Sequence, residues 1–423
     1  MRNLLSYLYF RVVSTKPVYF PGLNGLRFFA AFAVILTHVE LMKKYLGFAH
    51  LWLDPGRMYS TSAIVHVSRG EVSWFSPIVA EAGPLGVIFF FVLSGFLITF
   101  LLYREFDQEG KIAIGGFYMR RILRIWPLYF LIFLLGFFVL PHSKLFYVPE
   151  QSEAFASNFM GNFWCYVAFL PNLAYSLYMA VPNIGQSWSI GVEEQFYLLW
   201  PLIISLSGKS LKPLIWFTVI LIFGKMAFIL ITSGNADSGV LAAKKFLAMS
   251  KLECMSIGGI GAWILYHGKE RILNLIFNKF FQALCLFGVI GVLYLLPPAL
   301  QDGAYLIYAI CFLVVIMNVA GNERSLIRSS SGVWVFLGNI SYGIYMYHLM
   351  IITLVLHLLM MAGFSGKGAP WYFHLFAYVF SIALTIGVAY ISYRYFEKPW
   401  IRLKHRFTRV ASGHEAAQDT LKS

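Results

Sequence analysis

The stretch Phe20-Pro21-Gly22-Leu23-Asn24-Gly25-Leu26-Arg27-Phe28-Phe29-Ala30-Ala31-Phe32-Ala33-Val34-Ile35-Leu36-Thr37-His38 decides the fold class. It is an apolar helix that carries two ionisable side chains, Arg27 and His38. They stand eleven residues apart, which at 100° per residue is three turns plus roughly 20°, so both point the same way. At 1.5 Å per residue the rise between them is roughly 16 Å. In a helix that crosses a bilayer, Arg27 then lies near one surface and His38 near the middle. An imidazole at that depth is costly and marks a functional site.

The rest of the chain agrees with a membrane helix. Of its 423 residues 59% are hydrophobic, 18% aromatic and only 12% charged, against about 25% charged in a soluble domain. The mean hydropathy is +0.70. A net charge of +14 would suggest nucleic acid in a soluble protein; here the basic residues fall mostly in short loops, so membrane topology explains them and no nucleic-acid partner is expected. Cys165, Cys254, Cys285 and Cys311 sit in apolar sequence without paired spacing, as small buried residues and neither zinc ligands nor a disulfide framework. Residues 1–16 are short, mixed and basic, with no small-residue cleavage site, and do not read as a signal peptide.

Read in order, residues 1–25 form a basic amphipathic lead-in on the cytoplasmic side, 26–395 a transmembrane domain and 396–423 a basic, then polar tail. Ten spans are expected, near 26–46, 83–103, 126–140, 188–207, 213–232, 246–266, 276–296, 303–320, 334–361 and 371–395. Polar excursions fill 48–82 and 141–187. The apolar patch near 161–181 is cut by Pro171 and reads as a short interfacial or re-entrant segment. Pro127 suits the first turn of the third span. Ten spans put both termini on one side. On that side lie 22 Lys and Arg, on the other nine, a bias that makes both ends cytoplasmic. The fold class is therefore all-α and polytopic, without the internal repeat of an inverted-repeat transporter.

Three groups of residues carry chemistry. Arg27 and His38 come first: the histidine is either a helix-contact residue or, kept neutral by burial, a general base. The second is Arg120-Arg121-Ile122-Leu123-Arg124, in which Arg121 and Arg124 share a helix face. It reads as positive-inside anchoring or, with Arg27 at the same level, as an anion pocket, since guanidinium forks match phosphate. The third is Ser187-Trp188-Ser189-Ile190-Gly191-Val192-Glu193-Glu194-Gln195-Phe196-Tyr197. Its two carboxylates at the outer start of a span suit a helix N-terminus capped by Ser187 or Ser189, or else orient an acceptor or a base.

Together these residues resemble the membrane-bound acyltransferase family 3. The resemblance rests on Gly25-Leu26-Arg27 with His38, Gly86 through Phe89-Phe90-Phe91-Val92-Leu93-Ser94-Gly95-Phe96-Leu97-Ile98, and Arg120-Arg121-Ile122-Leu123-Arg124-Ile125 with Pro127. It continues through Trp188-Ser189 to Glu193-Glu194-Gln195-Phe196-Tyr197, then Ser341-Tyr342-Gly343-Ile344-Tyr345 with His348, and Phe396-Glu397-Lys398-Pro399. It covers residues 20–400. Asn24, Phe28 and Lys251-Leu252-Glu253 depart from the family pattern, the last in a stretch where Lys does not copy an Arg fork.

The resemblance implies an acyl-CoA-dependent membrane-bound O-acyltransferase in a bacterial cytoplasmic membrane. It would move an acyl group, most often acetyl, from cytoplasmic acetyl-CoA to a hydroxyl of an extracytoplasmic carbohydrate or glycolipid. No metal is implied. Arg27, Arg121 and Arg124, with Arg120, would hold the coenzyme head. His38 would be the base, with an acyl-His intermediate as the other route, and Glu193 its outer-side partner. Trp188, Glu194, Lys251, Glu253 and His348 would contact the acceptor. Glu397, among basic residues, suits an ion pair. The competing class is a transporter or flippase, because intramembrane His and Arg serve carriers too; incorporation of label from acetyl-CoA into a glycan separates the two.

Overall fold

A computed structural model describes residues 20–48, 76–296, 298–329, 331–364 and 370–407. Most of the lead-in, most of the 48–82 excursion and the end of the tail lie outside them. Among the described residues the chain is helical, without strands. Seven helices are long and apolar enough to cross a membrane, or eight if a pair bent by 59°, Glu270–Ile276 and Lys279–Leu295, makes one span. The chain is thus a multi-pass helical membrane protein. The difference from ten expected spans comes from segments that the fold interrupts or makes polar.

The first helix, α1, runs Pro21–Tyr45, starting earlier than the predicted 26 with its proline at the first turn, where no N–H is needed. The second, α2, is Ser76–Glu109 and ends at Gly110, whose positive φ of 68° closes the helix. The third, α3, is Ile114–Leu134 and continues through a π turn, Leu135–Val139. It begins a full turn and more before Arg120, so Pro127 lies inside it and not in its first turn. Three short helices follow, α4 Pro149–Ser157, α5 Phe159–Val167 and α6 Pro171–Leu177. At nine, nine and seven residues none can cross a bilayer.

The helix α7, Trp188–Ser207, forms as predicted, but its polar first turns keep it out of the set that is apolar enough to span. Next is α8, Lys212–Ile231, which presents Ile220 and Phe223 outward at 65% and 60% exposure, as a lipid-facing helix does. The predicted span 246–266 is two helices, α9 Ser238–Met249 and α10 Leu252–Tyr266. The break at Ser250 and Lys251 is answered from outside: the Lys225 ammonium donates to the Ser250 carbonyl, and Asn172 donates to the Ser250 hydroxyl at 3.2 Å. Freed backbone groups at membrane depth require such partners.

After the bent pair, α11 Glu270–Ile276 and α12 Lys279–Leu295, comes α13, Pro298–Gly321. The predicted span 334–361 is likewise divided into α14 Gly332–Asn339 and α15 Ser341–Met361. There Gly338 meets the α1 backbone so closely that a Cβ would stand 2.0 Å from the Asn24 carbonyl oxygen. Last is α16, Trp371–Ser392, which continues by a π turn to α17, Lys398–Lys404, well past the predicted 395.

The long helix α2 is the axis of the bundle. It packs against α1, α10, α13 and α7. Its contact with α10 is backbone to backbone: a Cβ on Gly95 would sit 1.8 Å from Met255 O, and one on Gly258 2.0 Å from Val92 O. Small residues let membrane helices approach this closely, where van der Waals packing replaces the hydrophobic drive. One apolar core surrounds α2; a second fills the space between α1, α15 and α16. The Thr37 hydroxyl also ties α1 to α2. It donates to Val79 O at 2.6 Å and accepts from Gly83 N–H at 2.7 Å, just before Pro84 inside α2.

Candidate active site

A cavity with about 810 Å³ of empty volume opens between α1, α2, α3, α7 and α15. Its polar lining is Arg27, Arg121, Arg124, Glu193, Tyr197 and Tyr345, together with Ser94, Ser189, Ser341 and Tyr342. Apolar side chains of α2, among them Phe90 and Phe91, close one wall.

Arg27 comes from the start of α1, whose entry is fixed by Phe20 lying edge-on against Phe100 at 5.3 Å. Arg121 and Arg124 come from one face of α3. The Arg121 guanidinium lies over the Phe117 and Tyr197 rings, 5.5 and 5.7 Å from their centroids. Yet Arg121 Nε is buried without a hydrogen-bond partner, and among the described residues none of the three guanidiniums is in an ion pair. Three planar donor forks therefore face a single lining carboxylate, Glu193. That carboxylate accepts from Tyr197 at 2.8 Å, and the Tyr197 oxygen is 2.5 Å from Ser94 Oγ.

The fourth arginine of the sequence group is elsewhere. Arg120 is bound by Glu105 at 2.7 Å and donates to Phe407 O at 2.9 Å. Glu105 also accepts from Ala113 N–H at 2.9 Å, so this pair staples the turn between α2 and α3. The expectation that Arg120 joins the pocket is corrected by a carboxylate fifteen residues upstream.

His38 does not line the cavity; it lies about three turns along α1 from Arg27. Its Nδ1 is 2.8 Å from Val34 O, and its ring centroid is 4.8 Å from that of His348. His348 is fully buried; its Nδ1 is 2.6 Å from Tyr345 O. Tyr345 joins this pair to the cavity: it lines the cavity, and its ring is 5.7 Å from the His348 ring. Its hydroxyl is held by Ser189 at 2.6 Å and donates to Gln186 O at 3.1 Å.

Glu193 was expected on the outer side, beside His38. The structure puts it with the guanidiniums instead. The start of α7 is not at a surface: the preceding turn, Gly185–Ser187, is itself buried, so Glu193, five residues in, reaches the cavity. Nor do the serines cap this helix by side chain. Ser187 makes no cap bond, and Ser189 is turned to Tyr345 and Gln186. Glu194 points the other way, accepting from Trp126 at 3.1 Å with its second oxygen buried and unpartnered. Trp188 stands edge-on to Phe91 at 6.2 Å, behind the cavity wall.

Lys251 and Glu253 do not reach the cavity. Lys251 lies 4.0 Å over the Tyr305 ring, and buried Glu253 is paired with Lys225 at 2.7 Å. Glu397 is buried and accepts from Ser392 at 3.1 Å; among the described residues it forms no ion pair. The sequence reading gave no role to Tyr197, Tyr342 or Tyr345. The signal for them was spacing: Tyr197 lies one turn after Glu193, and Tyr342, Tyr345 and His348 follow each other at three-residue steps along α15.

Comparison with known proteins bears on what such a cavity serves. A family model described as an acyltransferase domain matches residues 20–394. The chain is 27% identical over 398 residues to "O-acetyltransferase OatA" of Staphylococcus aureus (strain NCTC 8325 / PS 47), covering 91% of this chain and 57% of that protein. It is 25% identical over 401 residues to "Putative O-acetyltransferase SACOL0978" of Staphylococcus aureus (strain COL), covering 91% of this chain and 58% of that protein. The chain thus spans under two thirds of the length of these relatives. No solved structure matches. With the family match extending from the entry of α1 to the end of α16, the chain belongs to the acyltransferase family 3 of membrane proteins.

Proposed function

We propose that this protein transfers an acetyl group from cytoplasmic acetyl-CoA to a hydroxyl of an extracytoplasmic cell-envelope polysaccharide or glycolipid. The observation that carries the reading is the group of three guanidiniums, Arg27, Arg121 and Arg124, lining one cavity with no ion-pair partner among the described residues. A polyanionic head supplies what they lack, since each phosphate accepts paired N–H bonds from an arginine fork. The O-acetyltransferase names of the relatives support acetyl transfer as the reaction class that this charge pattern leaves open.

In this reading the protein sits in a bacterial cytoplasmic membrane with both termini inside, its ten apolar segments forming seven or eight full crossings plus broken and partial ones. Arg27, Arg121 and Arg124 hold the donor phosphates near the cytoplasmic face. A pantetheine arm has the length to follow α1 over the roughly 16 Å to His38. Glu193, with Tyr197 and Ser94, sets the orientation of the guanidiniums.

The donor hydrogen on His38 Nδ1 is committed to a carbonyl, because a carbonyl oxygen can only accept. Nε2 is then the basic nitrogen. It removes the proton from the acceptor hydroxyl as the oxygen bonds to the acyl carbon, and the proton goes to the departing thiolate when the C–S bond breaks.

The test is label transfer from radiolabelled acetyl-CoA to envelope glycan in membranes that carry the protein. Wild type should label the glycan, and His38→Ala should reduce the rate by at least about 100-fold while the protein still inserts. Transfer at the wild-type rate by His38→Ala rejects the base. Wild-type membranes that move a glycan but never acylate it support a carrier instead.

A further inference from the structure

The reading of His38 leaves its neighbour unused. His348 is 0% exposed, and its Nε2 has no hydrogen-bond partner. Its tautomer follows from the other nitrogen: Nδ1 lies 2.6 Å from the Tyr345 carbonyl, which can only accept, so in the neutral ring Nδ1 carries the hydrogen and Nε2 is a bare lone pair. The same argument holds for His38, whose Nδ1 faces Val34 O at 2.8 Å. Two imidazoles with centroids 4.8 Å apart thus both spend their one donor on their own helix. Between them they present two acceptors and no donor. A buried acceptor without a donor is costly and is rare in native interiors.

A proton delivered to His38 Nε2 would supply the donor that this pair lacks, one imidazole away from the unpartnered His348 Nε2, with the ring centroids 4.8 Å apart. The hydroxyl of Tyr345, whose ring centroid is 5.7 Å from that of His348, is already used by Ser189 and Gln186.

We propose that His348 is a positioning residue for His38, accepting a hydrogen bond at Nε2 from the imidazolium that forms on His38 during acyl transfer. The inference rests on the acetyl-transfer reading above. The acceptor O–H bond breaks and its proton goes to His38 Nε2. The acceptor oxygen bonds to the acyl carbon. The His38 N–H is then held against the His348 lone pair until the C–S bond breaks, and the thiolate, keeping the C–S electron pair, takes that proton. No proton or electron is gained or lost over the cycle. His348 touches neither donor nor acceptor in this scheme; it favours the charged state of the base.

The experiment uses the full chain in membranes with their own acceptor glycan, with radiolabelled acetyl-CoA as the varied substrate. His348→Asn keeps an amide donor where Nδ1 stood and removes the Nε2 acceptor. Its maximal rate should fall about 100-fold with the donor KM within about twofold of wild type. His348→Gln places an amide oxygen where Nε2 stood and should recover at least about a third of the wild-type rate.

A wild-type maximal rate in the Asn variant overturns the proposal, as does a loss confined to KM or a Gln variant as slow as the Asn variant. Where the Asn variant does not accumulate, the Gln variant decides by the same threshold. Wild-type membranes that label no glycan defeat the functional reading itself; active wild-type membranes with an unaffected His348→Asn defeat this inference alone.

Discussion

The cavity between α1, α3 and α7 and the break between α9 and α10 treat their cations in opposite ways. In the cavity between α1, α3 and α7, three guanidiniums face one carboxylate, and that carboxylate is already occupied by a tyrosine. At the break between α9 and α10, the Lys225 ammonium meets both oxygens of Glu253 at 2.7 and 2.8 Å and the Ser250 carbonyl besides. The C-terminal end of α1 repeats the second pattern: Lys43 lies 2.5 Å from Glu40 and 3.0 Å from His374 Nδ1, while Tyr378 donates to Glu40 at 2.7 Å. Charge answered inside the protein is structure, since a buried ion needs partners to remain charged. Charge left unanswered around a cavity points to an occupant of opposite charge. The lesson is that the number of arginines in a motif says less than the number that find a carboxylate.

The comparison breaks most visibly if one partner of the closed site is removed. Glu253→Ala strands the Lys225 ammonium in the interior, and unfolding stability should drop by about 3–5 kcal/mol. Thermal unfolding of the purified protein reads this directly; an unchanged midpoint would mean that the pair is not structural. Arg124→Ala should do the reverse. Relief of like charge leaves the midpoint unchanged or higher, while the donor KM rises about 10- to 100-fold, the loss of a charge-assisted bond. Donor KM at the wild-type value would take Arg124 out of the anion site. The smallest effect belongs to Arg120→Ala, which opens the Glu105 staple. Because Glu105 keeps the Ala113 N–H, the substitution should cost about 1–2 kcal/mol, below the Glu253→Ala loss, and leave donor KM alone; a KM shift as large as that of Arg124→Ala would return Arg120 to the cavity.

The helical class was legible because long apolar runs leave the backbone no other way to satisfy itself in a bilayer. Arg27, Arg121 and Arg124 were legible as one group because helix phase and depth follow from spacing alone. What escaped depends on residues far apart in the chain. Arg120 is one position from Arg121, and only Glu105 and the Phe407 carbonyl tell them apart. The break at Ser250 rests on Lys225 and Asn172, which no local pattern near 250 announces. Glu193 was misplaced because the turn before α7 is buried inside the protein, and sequence gives depth only when a helix is assumed to start at a surface.

The hydroxyl of Thr37, wedged between Val79 and Gly83 of the neighbouring helix, bears on how His38 keeps its height. It supplies a donor and an acceptor at once, so α1 is pinned against sliding at the residue next to the imidazole. When the surrounding lipid thickens or thins, tilt and snorkelling adjust the outer helices. The His38 imidazole stays in register with α2, and its depth is measured against protein and not against the bilayer.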